Sequence, residues 1–206
     1  MTRLFIPAPG LRLALASSSP RRRRFLEDWG LPFTLFCPLG VEPFPIPGES
    51  PEQYACRAAE AKTLAAAEQM KSPDILTLGA DTVVALDGDI LGKPRDAGDA
   101  LDMLLCLSGR GHEVISAVCL LLPDGRRKIF SDTSRVFFHP WPKAVLAAYA
   151  RSGEPDDKAG AYAVQGKGAF LVERIEGAFS TVAGLPLTPL VKLLLAEDLI
   201  LPAEAK

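Results

Sequence analysis

No CxxC pair occurs in this sequence, and its four cysteines, Cys37, Cys56, Cys106 and Cys119, stand far apart. In a chain of 206 residues that spacing argues against a disulfide framework or a zinc site. It points to buried structural thiols in a reducing cytosol, so a cytoplasmic location is expected. Histidine is scarce too. His112 and His139 stand near strand ends without a partner at metal-ligand spacing, and both read as structural. No apolar run approaches the roughly 18–20 residues of a membrane helix. Arg3 and Ala14-Leu15-Ala16 faintly mimic a secretory signal, but Pro7, Pro9 and Arg12 interrupt it and four arginines follow, so a first strand is expected there. The net charge of -2 and the lack of interleaved aromatics argue against nucleic-acid and membrane partners. Neither an internal repeat nor a low-complexity linker divides the chain, and 1–206 reads as a single domain.

What is present is a well-punctuated alternation of strands and helices. Apolar residues are 48% of the chain, enough for a sizeable core. Leu11 to Ala16 is a strand candidate. Ser19 as N-cap, Pro20 at the first helical position and Gly30 beyond the end delimit the first helix. Residues 37–49 carry Pro38, Pro43, Pro45 and Pro47 and are expected to be irregular. Ser50 and Gln53 form a capping box for an alanine-rich helix reaching about Met70, with Lys62 in its middle, where a solvated side chain is the ordinary expectation.

Leu78 to Leu86 reads as a buried strand closed by an Asp87-Gly88 turn. Asp96 caps a third helix with the stripe Ala100, Leu101, Leu104, Leu105 and Leu107. Glu113–Leu122 and Lys128–Phe138 flank a Pro123-Asp124-Gly125 hairpin, and Pro142 opens a helix that Ser152-Gly153 stops. A glycine-punctuated polar stretch covers 154–168. Ala169–Ile175 then reads as a strand and Leu187–Leu195 as the closing helix. The pattern predicts an α/β class with a mixed sheet.

Two features bear on chemistry. A carboxylate inside an apolar strand is costly unless paired or bound to a cation, and Asp81 is such a carboxylate. The turn after Leu86 would bring Lys93, held between Gly92 and Pro94, back beside that strand. Separately, a strand followed by Ser17-Ser18-Ser19-Pro20 and a helix aims backbone N–H groups at one spot suited to an anion. Arg21 and Arg22 in the first turn oppose the helix dipole, which a bound phosphate would offset. Arg23 and Arg24 read as a solvated face. The stretch 154–168 lacks a phosphate-loop pattern ending in Gly-Lys-Ser/Thr, so an ATPase of that kind is not indicated.

Four blocks together resemble the Maf family of nucleotide pyrophosphatases. They are Leu15 through Arg22; Gly79-Ala80-Asp81-Thr82 with Leu91-Gly92-Lys93-Pro94; Leu107 through Val114; and Ser152 through Gly166, continued by Val172–Gly177 and Gly184–Leu187. They occur in the family's order over nearly the whole chain. The resemblance implies an elongated α/β fold similar to inosine triphosphate pyrophosphatases, a mixed central sheet flanked by helices with two lobes around a cleft. It implies hydrolysis of a nucleoside triphosphate between the α and β phosphates with a divalent cation, magnesium or manganese. Thr82, Gln165 and Asp157 through Tyr162 match the branch acting on dTTP and UTP, which leaves modified pyrimidine nucleotides open as targets of a house-cleaning enzyme.

By the same resemblance Asp81 is the expected proton acceptor, and Arg21, Thr82 and Gln165 are specificity positions. Ser19, Arg22, Lys62 and Lys93 join them as expected substrate contacts. Asp81 and Glu42 are the metal candidates, although Pro43 stands where family members often carry a second acid. The alternative is a nucleotide-binding regulator of septum formation with little turnover. A homodimer is left open.

Overall fold

The computed structural model describes residues 3–39, 43–72 and 74–203. Nine strands and six helices are formed among them: β1 Phe5–Pro7, β2 Arg12–Ala16, α1 Pro20–Asp28, β3 Thr34–Phe36, α2 Pro51–Met70, β4 Ile75–Leu86, β5 Asp89–Leu91 and α3 Ala97–Leu107, then β6 Gly111–Leu121, β7 Arg127–Phe138, α4 Lys143–Ala150, β8 Val172–Glu176, α5 Phe179–Val182, α6 Leu187–Ala196 and β9 Ile200–Pro202. Between α4 and β8 the chain runs through three short 3-10 turns.

Seven strands form one mixed sheet in the order β3-β2-β4-β6-β7-β8, with β5 paired to β4. β2 runs parallel to β3 and β4, and the β4-β6-β7-β8 portion is antiparallel. β1 and β9 make a separate two-stranded ladder. These two short strands carry no extended alternation, and their residues pair only across the length of the chain, which local patterning cannot show.

β4 is the spine of the sheet. Of its twelve residues all but Ile75 and Thr82 are buried, including Asp81. On one face, Leu76, Leu78 and Ala80 join Leu13, Leu15, Leu26 and Leu190 in one apolar cluster. Val84 and Leu86 join Leu104, Leu146, Phe138 and Tyr162 in a second. On the opposite face, Val83 and Ala85 pack against Tyr54, Ala55, Ala58 and Ala59 of α2. Asp87 and Gly88 both take positive φ, 54° and 90°, which the Asp-Gly pair accommodates in a two-residue hairpin.

Alanine content explains how closely α2 lies on this sheet. Small buried residues let the helix backbone approach β4, and Gly79 sits at the contact. A Cβ there would fall 2.2 Å from Thr63 Oγ1 and 3.0 Å from Ala59 O. The helix begins at the expected capping box, with Gln53 N donating to Ser50 Oγ and Ser50 N donating to Gln53 Oε1.

Three sequence expectations need correction. The strand expected from Ala169 begins only at Val172, because Gly166–Leu171 coils as a 3-10 turn that buries Gly168 and Leu171. Of the cysteines only Cys119 is buried, its thiol pushed up to about 11 chiefly by desolvation, while Cys56 is half-buried. Cys37 and Cys106 are exposed, one just past the end of β3 and the other on the outer face of α3. Leu105 shares that outer face and leaves the expected stripe.

Candidate functional site

The site lies where the sheet is locally interrupted. β2 pairs with β4 from Arg12↔Ile75 to Ala16↔Gly79, and β5 resumes that side only at Val84↔Leu91. Between these ladders, among the described residues, no strand covers the edge of β4 from Ala80 to Val83. The parallel strands β2 and β4 thus open a crevice at the carboxyl end of β2, the usual ligand position in open α/β sheets. A cavity of about 280 Å³ occupies it, lined by residues of the β2–α1 turn, α2, β4, the 157–164 segment and the 182–184 segment. That is close to the lower end of the roughly 300–1,000 Å³ typical of small-molecule pockets.

One side of the cavity is ionic. Lys62 belongs to the helix row Ala58, Lys62, Ala66, whose two alanines are fully buried, so its side chain is directed at the sheet and not at solvent. Its Nζ donates to Asp81 Oδ1 at 2.5 Å, with side-chain exposures of only 19% and 10%. The ordinary expectation of a solvated helix lysine therefore fails here, and the repeat of alanine every fourth residue is the signal that reveals it.

The turn after β2 forms the second side. Ser19 caps α1, accepting from Arg22 N, and Ser17 Oγ accepts from Ser19 N at 3.1 Å. Arg21 lines the cavity and its Nε donates to Ala183 O at 3.3 Å. Arg22 is engaged more heavily: its Nε donates to Gly184 O at 2.7 Å, Nη1 to Ala80 O at 2.9 Å and to Ser17 Oγ at 3.2 Å, and Nη2 to Thr82 Oγ1 at 2.9 Å. Arg22 thus ties three walls together. Arg23 and Arg24 are exposed and make i,i+4 pairs with Glu27 and Asp28, the solvated face expected for them.

The remaining wall is mostly apolar: Val84, Val114, Ala159, Tyr162, Ala163, Val164 and Val182. Lys93 also lines the cavity, brought there by the Asp87-Gly88 hairpin as expected. Asp157 and Lys158, noted in the sequence only as part of the stretch matching the dTTP and UTP branch, line it as an ion pair, and Lys158 holds the Asp157 carboxyl below its usual range. Behind Tyr162 lies His112, whose Nε2 is 2.7 Å from the Tyr162 hydroxyl. Burial depresses the His112 pKa to about 4, so the ring is a neutral core residue, as its sequence position suggested.

Of the residues expected at the site, Ser19, Arg21, Arg22, Lys62, Asp81, Thr82 and Lys93 all converge on this cavity. Gln165 does not line it. Its side chain is exposed one residue beyond Val164, at the entrance to the 3-10 turn Gly166–Leu171. Glu42 lies outside the described residues, and no group of three His, Cys, Asp or Glu side chains able to hold a metal ion occurs among the described residues.

The family model for Maf-like protein matches residues 12–197. The chain belongs to the Maf family. A protein of Nitratidesulfovibrio vulgaris named dTTP/UTP pyrophosphatase is 53% identical to it over 194 residues, covering 93% of this chain and 91% of that one. A dTTP/UTP pyrophosphatase of Oleidesulfovibrio alaskensis is 47% identical, covering 94% and 89%. Among solved structures, the Staphylococcus aureus Ham1 protein covers 91% of this chain and 99% of its own, at 14% identity and a TM-score of 0.51, a likeness of fold. No helix among the described residues of this Maf protein is long and apolar enough to cross a membrane.

Proposed function

We propose that this Maf protein hydrolyses dTTP and UTP to the monophosphate and pyrophosphate, acting as one unit around the β4 cleft. The observation carrying this reading is the Asp81–Lys62 pair and the Ser17–Arg22 turn lining one cavity of about 280 Å³. The names of the relatives supply the substrate class.

The chemistry is attack of water on the α-phosphorus: a new P–O bond forms, the bond to the bridging oxygen breaks, and pyrophosphate leaves with that electron pair. Asp81 orients the water and accepts its proton. Lys62 fixes the Asp81 carboxylate and, with Arg21 and the N–H groups at the start of α1, balances phosphate charge. Lys93, in the same lining, adds positive field, while the Lys158 charge is balanced by Asp157. The apolar wall around Val84, Val114 and Tyr162 suits a pyrimidine ring, with Gln165 at the rim as its specificity position.

The donor set fits a magnesium-type ion, which binds through one or two carboxylates while phosphate oxygens and waters complete the shell. Asp81 is the carboxylate that would hold it, with Glu42 as the second candidate that the family resemblance implies, and the ion would draw charge from the phosphate oxygens. An assay of pyrophosphate release over a panel of nucleoside triphosphates, with magnesium, manganese or chelator, tests the reading. Turnover confined to dTTP and UTP and lost on chelation is expected. Absence of turnover on every triphosphate would refute it.

A further inference from the structure

Thr82 stands at a position expected to govern specificity, yet its hydroxyl is already committed inside the protein. Arg22 Nη2, which can only donate, gives its proton to Thr82 Oγ1 at 2.9 Å. Thr82 Oγ1 lies 2.8 Å from Ser116 Oγ, directly across the β4–β6 ladder at the Thr82↔Ser116 register. Ser116 Oγ donates at 2.7 Å to Thr181 O, a carbonyl that can only accept. The single Ser116 proton is thereby used, so in the Thr82–Ser116 contact Thr82 is the donor. Its other acceptor, Gly184 O, is at 3.5 Å, too long to compete.

The direction of the chain is fixed from Arg22 through Thr82 and Ser116 to the Thr181 carbonyl. It also closes on itself. Thr181 begins the Thr181–Gly184 segment, whose Ala183 and Gly184 carbonyls accept from Arg21 Nε and Arg22 Nε. At its far side Thr181 Oγ1 is hydrogen-bonded to Asp132, which anchors the segment to β7. Ser116 is fully buried and touches no ligand-accessible surface.

We propose that Ser116 is a positioning residue. It polarises Thr82, holds the 181–184 wall against α1, and through the Ala183 and Gly184 carbonyls sets where the Arg21 and Arg22 guanidinium groups point. Thr82 then governs specificity through the shape of this wall and not by donating to the nucleotide base. The inference rests on the proposed dTTP and UTP turnover.

The test is a double-mutant cycle on kcat/KM for dTTP with Thr82→Val and Ser116→Ala, beside Thr82→Ser. Wild-type turnover, measured first, judges the function by itself. Each single variant is expected to lose roughly tenfold or more in kcat/KM, and the double variant to lose about what the worse single one does, because a chain broken once is already broken. Thr82→Ser, which keeps the hydroxyl, should retain kcat/KM within about threefold while Thr82→Val does not. Relative turnover of purine against pyrimidine triphosphates should shift in Thr82→Val and Ser116→Ala alike. Multiplicative losses in the double variant, or equal activity of Thr82→Ser and Thr82→Val, would overturn the proposal. Should Ser116→Ala fail to fold, Ser116→Cys, which keeps the volume but hydrogen-bonds weakly, takes its place in the cycle with the same expected and overturning outcomes.

Discussion

Lys62 Nζ lies 2.5 Å from Asp81 Oδ1, joining the middle of the sheet-facing row of α2 to the middle of β4. Both side chains are largely buried, so neither charge is tolerable without the other or a substitute. Asp81→Asn keeps the shape and removes the charge. Pyrophosphate release from dTTP is expected to fall at least about 100-fold, the lower end of what a proton acceptor contributes. The circular-dichroism spectrum should stay native, with a lowered melting temperature from the half-broken pair. Near-normal turnover would remove Asp81 from the chemistry.

Gly79 sets the distance over which that ion pair is made. A Cβ at this position meets Thr63 Oγ1 at 2.2 Å and the backbone atoms Ala59 O and Thr63 N, each at 3.0 Å. Two of the three contacts are helix backbone, which cannot rotate away. Gly79→Ala should therefore push α2 off β4, costing roughly 1–3 kcal/mol by overpacking. It should also lower kcat, because Lys62 rides on the same helix. Urea denaturation together with dTTP turnover measures both effects, and a variant as stable and active as the parent would contradict the close packing.

Much of this architecture was legible because local signals agreed. The Ser19 and Ser50 caps, the Asp87-Gly88 hairpin and the apolar run of β4 each had a local cause, and each is found where the residues place it. The site was legible through Asp81, a charge in an apolar strand, and through the Ser-Pro-Arg-Arg helix start. What escaped depends on long-range pairing. Ser116, Thr181 and Asp132 are ordinary polar residues in sequence, and only the β4–β6–β7 register brings them together. Arg22 was expected to meet phosphate, and nothing local shows that Ala80, Thr82 and Gly184 draw on its donors. Gln165 has the chemistry of a base reader, but the turn at Gly166 leaves it exposed outside the cavity lining.

Glu154 closes the segment that carries the apolar wall. Its carboxylate accepts from Lys167 N at 2.9 Å, Gly168 N at 2.7 Å and the Tyr149 hydroxyl at 2.9 Å, and that hydroxyl accepts from Ala163 N at 3.2 Å. Desolvation raises the Glu154 pKa, but the donations from Lys167 N, Tyr149 and Gly168 N, with the nearby Lys158 charge, together outweigh it and leave the group below its usual range. Stability from this group is therefore present above the ordinary glutamate pKa and lost as pH falls through the lowered value. Glu154→Gln substitutes an NH₂ for one acceptor and should cost roughly 1–3 kcal/mol. KM for dTTP should rise more than kcat falls, since Tyr162 to Val164 lie within the loosened segment. Steady-state kinetics with an unchanged KM would show that Glu154 staples the loop without shaping the cavity.

His112 gives the protein a second pH dependence in a different window. Its ring is packed edge-to-face against Phe138 and Tyr162, its Nδ1 has no hydrogen-bond partner among the described residues, and desolvation depresses its pKa to about 4. The unfolded chain binds a proton at this residue below the reference value of 6.5, and the folded chain does not until about 4. Between those values the unfolded state holds more protons, so stability falls as pH is lowered, by roughly 3 kcal/mol over the full interval. Glu154 adds only a little to the slope from pH 6.5 to 5, because its unfolded value of 4.5 lies below that window, and comparison with a His112 variant cancels what it and other carboxylates add. His112→Gln keeps an amide to meet the Tyr162 hydroxyl but does not titrate. Urea unfolding free energies at pH 7 and pH 5 should differ clearly in the parent protein and much less in the variant. Parallel pH slopes in the two proteins would mean that the His112 ring takes up its proton in the folded state as easily as in the unfolded one.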